Sequence, residues 1–298
     1  MIAIGVDAGG TQTHAALAQD GRLVREARGA AANPTALGVA AAADAIVATI
    51  RELLAGAAPQ TIHVGAAGAS RAIVADALCA RVATAFPGTV VTVGDDAAIA
   101  LRAALPEGDG ALLIAGTGSI AYAERGATSH RAGGLGWLAG DEGSAFWIGL
   151  QAVKLYGRVL DGRAVHDETT ELVARALDAR DRDRYLAALY DAPLLPATLA
   201  ALAPSIVAFA GKGNRAATKI VQQAAQELAD LARAVLRAAG LADATPRLAL
   251  AGGLLRENSL LSFLLETRLN GDIPGVDIIR GGDEPVQGAL RLAERAAR

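Results

Sequence analysis

Three short glycine-rich segments, far apart in the chain, most strongly constrain what this sequence can fold into. They are residues 7–11 (Asp-Ala-Gly-Gly-Thr), 116–119 (Gly-Thr-Gly-Ser) and 252–254 (Gly-Gly-Leu). Each follows a short apolar run, so each is predicted to be a strand that ends in a tight turn. Glycine lets backbone N–H groups approach phosphate oxygens without an intervening Cβ atom. Three such turns, two of them with hydroxyl residues, predict a nucleotide held between two halves of a protein.

Composition narrows the class of protein. A chain of 298 residues is long enough for two domains. No apolar run approaches the length of a membrane span, and no secretory signal is recognised, so we expect a soluble cytoplasmic enzyme with no membrane partner. The net charge of −3 and the 3% aromatic content argue against nucleic acid as a partner. Cys79 is the single cysteine, which excludes an internal disulfide and an all-cysteine metal site.

The order of predicted elements indicates an α/β fold in two parts. Strands alternate with helices in both halves, which is typical of layered α/β domains. The polar, turn-rich segment 106–110 predicts a boundary between an N-terminal domain of residues 1–105 and a C-terminal domain of residues 106–298. Residues 144–239 read as mostly helical, which predicts a helical insertion in the second domain. A closing helix is predicted at about 285–297, and it is expected to pack back on the first domain.

The glycine turns carry candidate nucleotide-binding residues. In the first turn, Asp7 can hold Mg²⁺ through water while the amides of Gly9 and Gly10 face phosphate, although an aspartate in an ordinary β-turn explains the residue equally well. In the second, Gly118 follows Thr117, and both hydroxyls of the segment can donate to phosphate. A plain hairpin explains those glycines but not the hydroxyls. Gly252 and Gly253 form the third turn.

Two adjacent carboxylates, Asp95 and Asp96, follow a predicted strand and open a predicted helix. One of them can be a helix N-cap, which is the common role of aspartate at such a position. The other then needs a different reason, because adjacent carboxylates repel each other. It can take the proton from a substrate hydroxyl that attacks a γ-phosphate.

The densest candidate segment is residues 132–147, in which five glycines surround Asp141 and Glu142 and two tryptophans lie close by. Carboxylates accept sugar hydroxyl protons, and glycines let the backbone approach a ligand closely. We therefore predict a sugar contact for Asp141. The alternative is a glycine-rich loop in which Asp141 or Ser144 caps the next helix.

On these motifs the chain resembles the N-acetylglucosamine kinase and BadF/BadG/BcrA/BcrD ATPase family, within the sugar kinase/Hsp70/actin superfamily. The most specific part is Gly-Asp-Glu-Gly-Ser at 140–144, followed by residues 145–148 and 151–154, while 96–98 and 116–119 agree in order and spacing. The resemblance covers the whole chain. It implies two RNase H-like (actin-like ATPase) domains with a cleft between them, an ATP-dependent kinase acting on the 6-hydroxyl of an amino sugar, and a homodimer.

The resemblance also implies roles for individual residues. Asp96 matches the general base, Asp7 lies near the metal, and Thr11 and Thr117 contact ATP phosphates. Ala210 and Gly252 match the adenosine pocket. The positions that match the sugar site are Asn33, Ser119, Ile120, Gly134, Leu135, Gly136 and Asp141.

Two departures from the family pattern and one alternative function stand beside this interpretation. Leu135 lies where the mammalian N-acetylglucosamine kinase has tryptophan, so the amino sugar itself stays open among N-acetylglucosamine, glucosamine and N-acetylmuramic acid. At the position of Asp7 that kinase has glutamate.

The alternative function is a non-kinase ATPase that activates a partner enzyme. Such activators hold a [4Fe–4S] cluster with two cysteines per subunit, and this chain offers Cys79 alone. A catalytically silent sugar sensor would lack the base, and Asp96 is present.

Overall fold

The structure is a computed structural model, and it describes residues 1–54, 56, 58–191, 196–242 and 245–297. The strands are β1 (Ile2–Ala8), β2 (Thr13–Gln19), β3 (Arg22–Gly29), β4 (Thr61–Ala66), β5 (Val90–Asp95), β6 (Gly110–Ala115), β7 (Ser119–Arg125), β8 (Thr128–Gly133), β9 (Arg247–Ala251) and β10 (Asp277–Arg280). The helices are α1 (Pro34–Leu37), α2 (Val39–Leu54), α3 (Ala72–Ala85), α4 (Asp96–Ala104), α5 (Ala145–Leu160), α6 (Glu168–Ala176), α7 (Arg182–Tyr190), α8 (Pro196–Ala200), α9 (Ala203–Gly211), α10 (Arg215–Ala238), α11 (Leu260–Asp272) and α12 (Pro285–Arg295).

Two compact units divide the chain, one made of Met1–Gly108 with Gly281–Arg298 and the other of Asp109–Arg280. In the first unit the sheet order is β3-β2-β1-β4-β5, with β1 antiparallel to β2 and parallel to β4. The second unit repeats this plan as β10-β9-β6-β7-β8, with β6 antiparallel to β7 and parallel to β9. Each unit is therefore a mixed five-stranded sheet with helices, which agrees with the predicted α/β fold class.

The last helix belongs to the first unit because its small residues allow close packing there. A Cβ atom added to Gly288 of α12 would lie 1.9 Å from the carbonyl oxygen of Ile99 in α4, so only glycine fits this contact. Val286 and Leu290 pack with Ala16 and Ala18 of β2. The helix ends at Arg295, slightly before the predicted end at 297.

In the second unit, helices contributed by the segment between β8 and β9 cover the sheet. The longest of them, α10, buries one apolar face that includes Val221, Leu228 and Val235. That face joins the inward side chains of β6 and β7 in one core. The described helices of residues 144–239 are α5 to α10. Among the described residues, no helix is long and apolar enough to cross a membrane.

Candidate active site

The first glycine turn connects β1 to β2 in the first unit. Strand β1 runs two residues beyond its predicted end at Val6, so Asp7 lies within the strand and the turn begins at Gly9. The N–H of Gly9 donates to the carbonyl of Gln12 at 3.0 Å, which closes the turn. Gly10 and Thr11 are exposed at its tip. Gly10 and Thr11 are therefore open to a ligand, whereas the N–H of Gly9 is used within the turn.

Asp7 is half-buried and lies opposite His14 in the antiparallel β1–β2 pair. Burial raises the pKa of Asp7 above its ordinary value, His14 acts in the opposite direction, and Glu284 adds to the increase. Nδ1 of His14 is 3.3 Å from a carboxylate oxygen of Glu284. A partly desolvated carboxylate at a strand end favours the approach of a cation.

The adjacent aspartates have different positions at the start of α4. Asp95 is the N-cap residue, and its Oδ1 accepts the N–H of Ala97 at 3.0 Å. Asp96 is the first residue of the helix and is half-buried. The capping role foreseen for one member of the pair thus belongs to Asp95, and the candidate base is its neighbour.

Asn33 has a local structural role in the first unit. Its side-chain oxygen accepts the N–H groups of Thr35 at 2.8 Å and Ala36 at 3.2 Å, which makes it the N-cap of α1. Pro34 follows at the first helical position, where it is well tolerated. The cap holds the side-chain oxygen of Asn33, so the amide nitrogen is the group that a sugar hydroxyl would use.

The second glycine turn, residues 116–118, connects β6 to β7 in the second unit. The N–H of Gly116 donates to the carbonyl of Gly118 at 2.9 Å, and Thr117 is exposed. The carbonyls of Gly116 and Thr117 accept the first N–H groups of α5, those of Ala145 and Phe146. The turn is thereby fixed to the N-terminus of the helix that follows the glycine-rich loop.

Ser119 is buried and joins the glycine-rich loop at three points. Its N–H donates to Oδ1 of Asp141 at 3.2 Å, and its hydroxyl donates to the carbonyl of Glu142 at 2.7 Å. Its own carbonyl accepts the N–H of Gly134 at 2.9 Å. With these groups occupied, Ser119 positions Asp141 beside the second turn, and the contact of Ser119 itself with sugar stays a prediction.

Asp141 lies against the backbone of the second turn. A Cβ atom added to Gly118 would be 2.6 Å from Oδ1 of Asp141, so this approach needs glycine. Asp141 itself has a φ of +59°, a region in which aspartate and asparagine are tolerated better than most residues. Burial raises the pKa of Asp141, the N–H of Ser119 lowers it, and Glu142 raises it. The helix cap here is Ser144, which accepts the N–H of Trp147, so Asp141 is not needed for capping.

Residues 135–139 of the glycine-rich loop are exposed to solvent. Leu135 is 71% exposed, and Gly136 beside it has a φ of +83°. Gly134 packs close to the half-buried Ile120 side chain at the start of β7. Trp137 is fixed edge-on against Phe146, with ring centroids 6.0 Å apart. The loop thus carries four of the predicted sugar-site residues, Gly134, Leu135, Gly136 and Asp141, while Ser119 and Ile120 belong to β7. The apolar side chain of Leu135 faces solvent.

A cavity of about 530 Å³ lies next to the second turn, within the second unit. Its wall combines the turn with α9 and the third glycine turn: Gly116, Thr117, Ala145, Ala200, Pro204, Val207, Gly253, Leu254, Arg256 and Ser259. An open cavity of this size, apolar on one side and bordered by glycine turns, suits a nucleotide.

Of the nucleotide residues predicted in this unit, Thr117 and Gly253 line the cavity, whereas Gly118, Ala210 and Gly252 do not. Gly252 is exposed at the entry to the third turn and has a φ of +99°. Ala210 is buried in α9, one turn beyond the wall residue Val207. Ala210 therefore lies on the helix that contributes Pro204 and Val207 to the wall but does not itself line the cavity, and its contact with adenosine stays a prediction.

Several residues of the cavity wall were not predicted from the sequence. Pro204 and Val207 belong to an apolar helix with no motif, and only the fold brings that helix to the turn. Arg256 and Ser259 had a usable signal, since both follow the third glycine turn by a few residues. Arg256 adds a cationic side chain to the wall, which suits a phosphate-bearing ligand.

The repeated sheet plan and the glycine turns define an actin-like ATPase. Residues 4–293 match the BadF/BadG/BcrA/BcrD ATPase family, and the chain belongs to it. ATP is accordingly the nucleotide. A solved structure of a candidate N-acetylglucosamine kinase from Chromobacterium violaceum is 29% identical, with 98% of each chain covered and a TM-score of 0.74. The predicted family and fold class are thereby confirmed.

Curated sugar kinases of other organisms are also similar in sequence to this chain. An N-acetylmuramic acid/N-acetylglucosamine kinase of Clostridium acetobutylicum is 29% identical over 240 residues, which cover 78% of this chain and 76% of the relative. A glucosamine kinase of Vibrio cholerae is 29% identical over 231 residues, which cover 76% of this chain and 77% of the relative. These relatives share one kind of reaction and differ in the amino sugar that they are named for.

Proposed function

We propose that this protein is an ATP-dependent kinase that phosphorylates the 6-hydroxyl of an amino sugar. The observation that carries the proposal is the second glycine turn, which serves two neighbouring features at once. On one side Gly116 and Thr117 line the cavity, and on the other Gly118 and Ser119 contact the carboxylate of Asp141. A donor phosphate and an acceptor sugar bound to one turn would be neighbours, as phosphoryl transfer requires.

In this proposal the protein acts mainly by positioning. The N–H groups of Gly10 and Gly118, which do not take part in the hydrogen bonds that close the first two turns, and the hydroxyls of Thr11 and Thr117 hold phosphate oxygens. Asp141 accepts a hydrogen bond from a hydroxyl group of the sugar and so orients the ring. Asp96 takes the proton of the attacking hydroxyl as the new O–P bond forms and ADP leaves. The N-cap bond of Asp95 fixes the start of α4, and with it the backbone that carries Asp96.

The residues present fit a magnesium ion that arrives with ATP. Among the residues that the structure describes, no three metal-binding side chains form a group, so a site built from protein ligands alone is not seen. Mg²⁺ commonly keeps its waters and binds through substrate phosphates with one or two carboxylates. Asp7 is the carboxylate that would hold it through water, and the ion would neutralise charge on the phosphates.

The alternative, an ATPase that activates a partner enzyme, has less support. Cys79 is the one cysteine of the chain. It lies within α3, where its S–H reaches the carbonyl of Val91 at 3.3 Å and burial raises the pKa of the thiol. A thiol in this setting is poorly suited to ligate iron, which needs an accessible thiolate.

Cellular site and assembly follow from the proposal and the family resemblance. A kinase that consumes ATP is expected to work in the cytoplasm, and a homodimer is expected. Light scattering from the purified protein measures the mass in solution, and a monomer mass would contradict the second expectation.

A coupled assay of ADP release against hexoses, hexosamines and their N-acetylated forms tests the function. We expect turnover with at least one amino sugar and little with hexoses that lack the nitrogen. Mass spectrometry and NMR of the product place the phosphate. ATP hydrolysis that no sugar stimulates would contradict the kinase and favour the activator.

From the leucine at position 135 we predict that the enzyme accepts sugars with and without the acetyl group. Its small, exposed side chain offers less contact than an aromatic ring, so the enzyme should accept at least one amino sugar other than N-acetylglucosamine. Leu135→Trp should shift kcat/KM toward N-acetylglucosamine over glucosamine by about 1–3 kcal/mol. Leu138→Trp, at an 84% exposed position of the same loop, is the control. A wild-type preference for N-acetylglucosamine above about 10⁴ would rule out Leu135 as the determinant.

We predict that the adenosine end of ATP binds beside Val207, in the cavity next to the second glycine turn. Val207→Trp places a large side chain into the cavity and should raise KM for ATP about tenfold or more, with KM for sugar nearly unchanged. Ala208→Trp puts the same ring on the exposed side of α9, outside the wall, and serves as the control. Equal effects of both variants on KM for ATP would argue against nucleotide binding at this cavity.

A further inference from the structure

A second and larger cavity, of about 700 Å³, lies in the helical part of the second unit. It shares no wall residue with the nucleotide cavity. Its wall comes chiefly from α5 and α10 and the segment before α6: Gln151, Lys154, Leu155, Arg158, Ala164, Val165, Asp167, Arg215, Ala216, Lys219, Ile220 and Gln223. We name it the basic cavity. Gln151 and Lys154 come from the family-like segment 151–154, for which the kinase mechanism has no use.

The charged side chains in the wall of the basic cavity are four cations and one carboxylate. The chain has three lysines, and two of them, Lys154 and Lys219, are in this wall. Lys154 and Arg158 are four residues apart on α5, as are Arg215 and Lys219 on α10. Like charges at this spacing repel on a helix surface. The protein therefore carries two repelling pairs on two helices that border one space.

These four side chains are not paired with a carboxylate in the part of the chain that the structure describes. None of them has an ion pair or a side-chain hydrogen bond there, whereas nearby Arg175 and Arg180 both pair with Glu171. Asp167 is the one carboxylate of the wall, and it is already engaged. It accepts the N–H of Thr170 at 3.1 Å and the side-chain amide of Asn214 at 3.2 Å.

We propose that the basic cavity binds a small organic molecule that carries two phosphate groups. One phosphate would lie between Lys154 and Arg158 and the other between Arg215 and Lys219, since each pair matches a dianion. Leu155, Val165 and Ile220 give the carbon skeleton an apolar surface, and Gln151 and Gln223 offer amides to its hydroxyls. A concave space of this volume suits a small molecule rather than a duplex or a membrane.

Calorimetric titration of the full chain with fructose 1,6-bisphosphate and with fructose 1-phosphate as probes tests the proposal. We expect the bisphosphate to bind more tightly than the monophosphate. Lys154→Gln/Arg158→Gln and Arg215→Gln/Lys219→Gln should each weaken bisphosphate binding at least about tenfold. Lys212→Gln removes the third lysine, which is exposed and outside the wall, and should leave binding unchanged.

Three results would overturn the proposal. The first is no binding of the bisphosphate, and the second is equal weakening in all variants, Lys212→Gln included, which would indicate a general effect of net charge. The third is binding of duplex DNA or phosphatidylserine vesicles through these residues in place of the bisphosphate. Thermal unfolding of each variant checks that it is folded, and two double variants on different helices keep the test independent of either one. Because binding is measured directly, the result does not depend on kinase activity.

Discussion

Asp96→Asn is expected to lower kcat by about 10²–10⁴-fold, the usual effect of removing a general base. Asparagine keeps the size of the side chain but cannot take the proton of the sugar hydroxyl. Binding of sugar should stay within a few-fold, because the amide still accepts and donates hydrogen bonds. Rapid-quench kinetics separates the chemical step from binding, and calorimetry measures sugar affinity directly.

Asp95→Asn is the matched control, because it makes the same chemical change one residue earlier. Asparagine is as good an N-cap as aspartate, so the bond to the N–H of Ala97 and the stability of α4 should be kept. Asp95→Ala should cost about 0.5–2 kcal/mol of stability through loss of the cap. If Asp95→Asn lost kcat while Asp96→Asn retained it, Asp95 would be the base and the cap a secondary role.

The pair Asp95 and Asp96 illustrates what sequence reasoning reached. A strand followed by two aspartates and an apolar helix predicts a cap and an unexplained carboxylate, but it does not say which is which. The assignment depends on where the helix begins, and helix ends vary by a residue or two in any reading of a sequence. The structure assigns the cap, since the N–H of Ala97 donates to Asp95, while the role of Asp96 as the base stays a prediction.

Other predictions depended on long-range packing and were only partly accessible. The strands and glycine turns have strong local signals, so both sheets could be foreseen. The contact between Ser119 and Asp141 joins residues 22 positions apart. The cavity proposed for the nucleotide needs α9 beside a turn about 90 positions earlier in the chain. Ala210 shows the limit: it lies on the helix that contributes Pro204 and Val207 to the wall, but the face that lines the cavity depends on how the helix is rotated, which the sequence does not give.

Asp141→Asn is expected to raise KM for sugar by about 10- to 100-fold, the loss of one charge-assisted hydrogen bond or more, with KM for ATP nearly unchanged. Asparagine is preferred to alanine here because it tolerates the φ of +59° and can still accept the N–H of Ser119. Glu142→Gln is the control, since the Ser119 hydroxyl binds the backbone carbonyl of Glu142 and not its side chain. An increase confined to KM for ATP would move Asp141 to the nucleotide site.

The raised pKa of Asp141 adds a test in which function and stability change in opposite directions. Sugar binding needs the ionised carboxylate, so KM for sugar should rise as pH falls through a pKa above the ordinary value of 3.8, and Asp141→Asn should abolish this dependence. For stability the sign is reversed. Between the ordinary and the raised pKa the folded state binds more protons than the unfolded state, so the contribution of Asp141 to stability falls as pH rises through this window.

Asp141→Asn removes the partly buried negative charge of this side chain. Tm at neutral pH should therefore not decrease while KM for sugar increases. A lower Tm together with an unchanged KM would make Asp141 a structural residue of the loop.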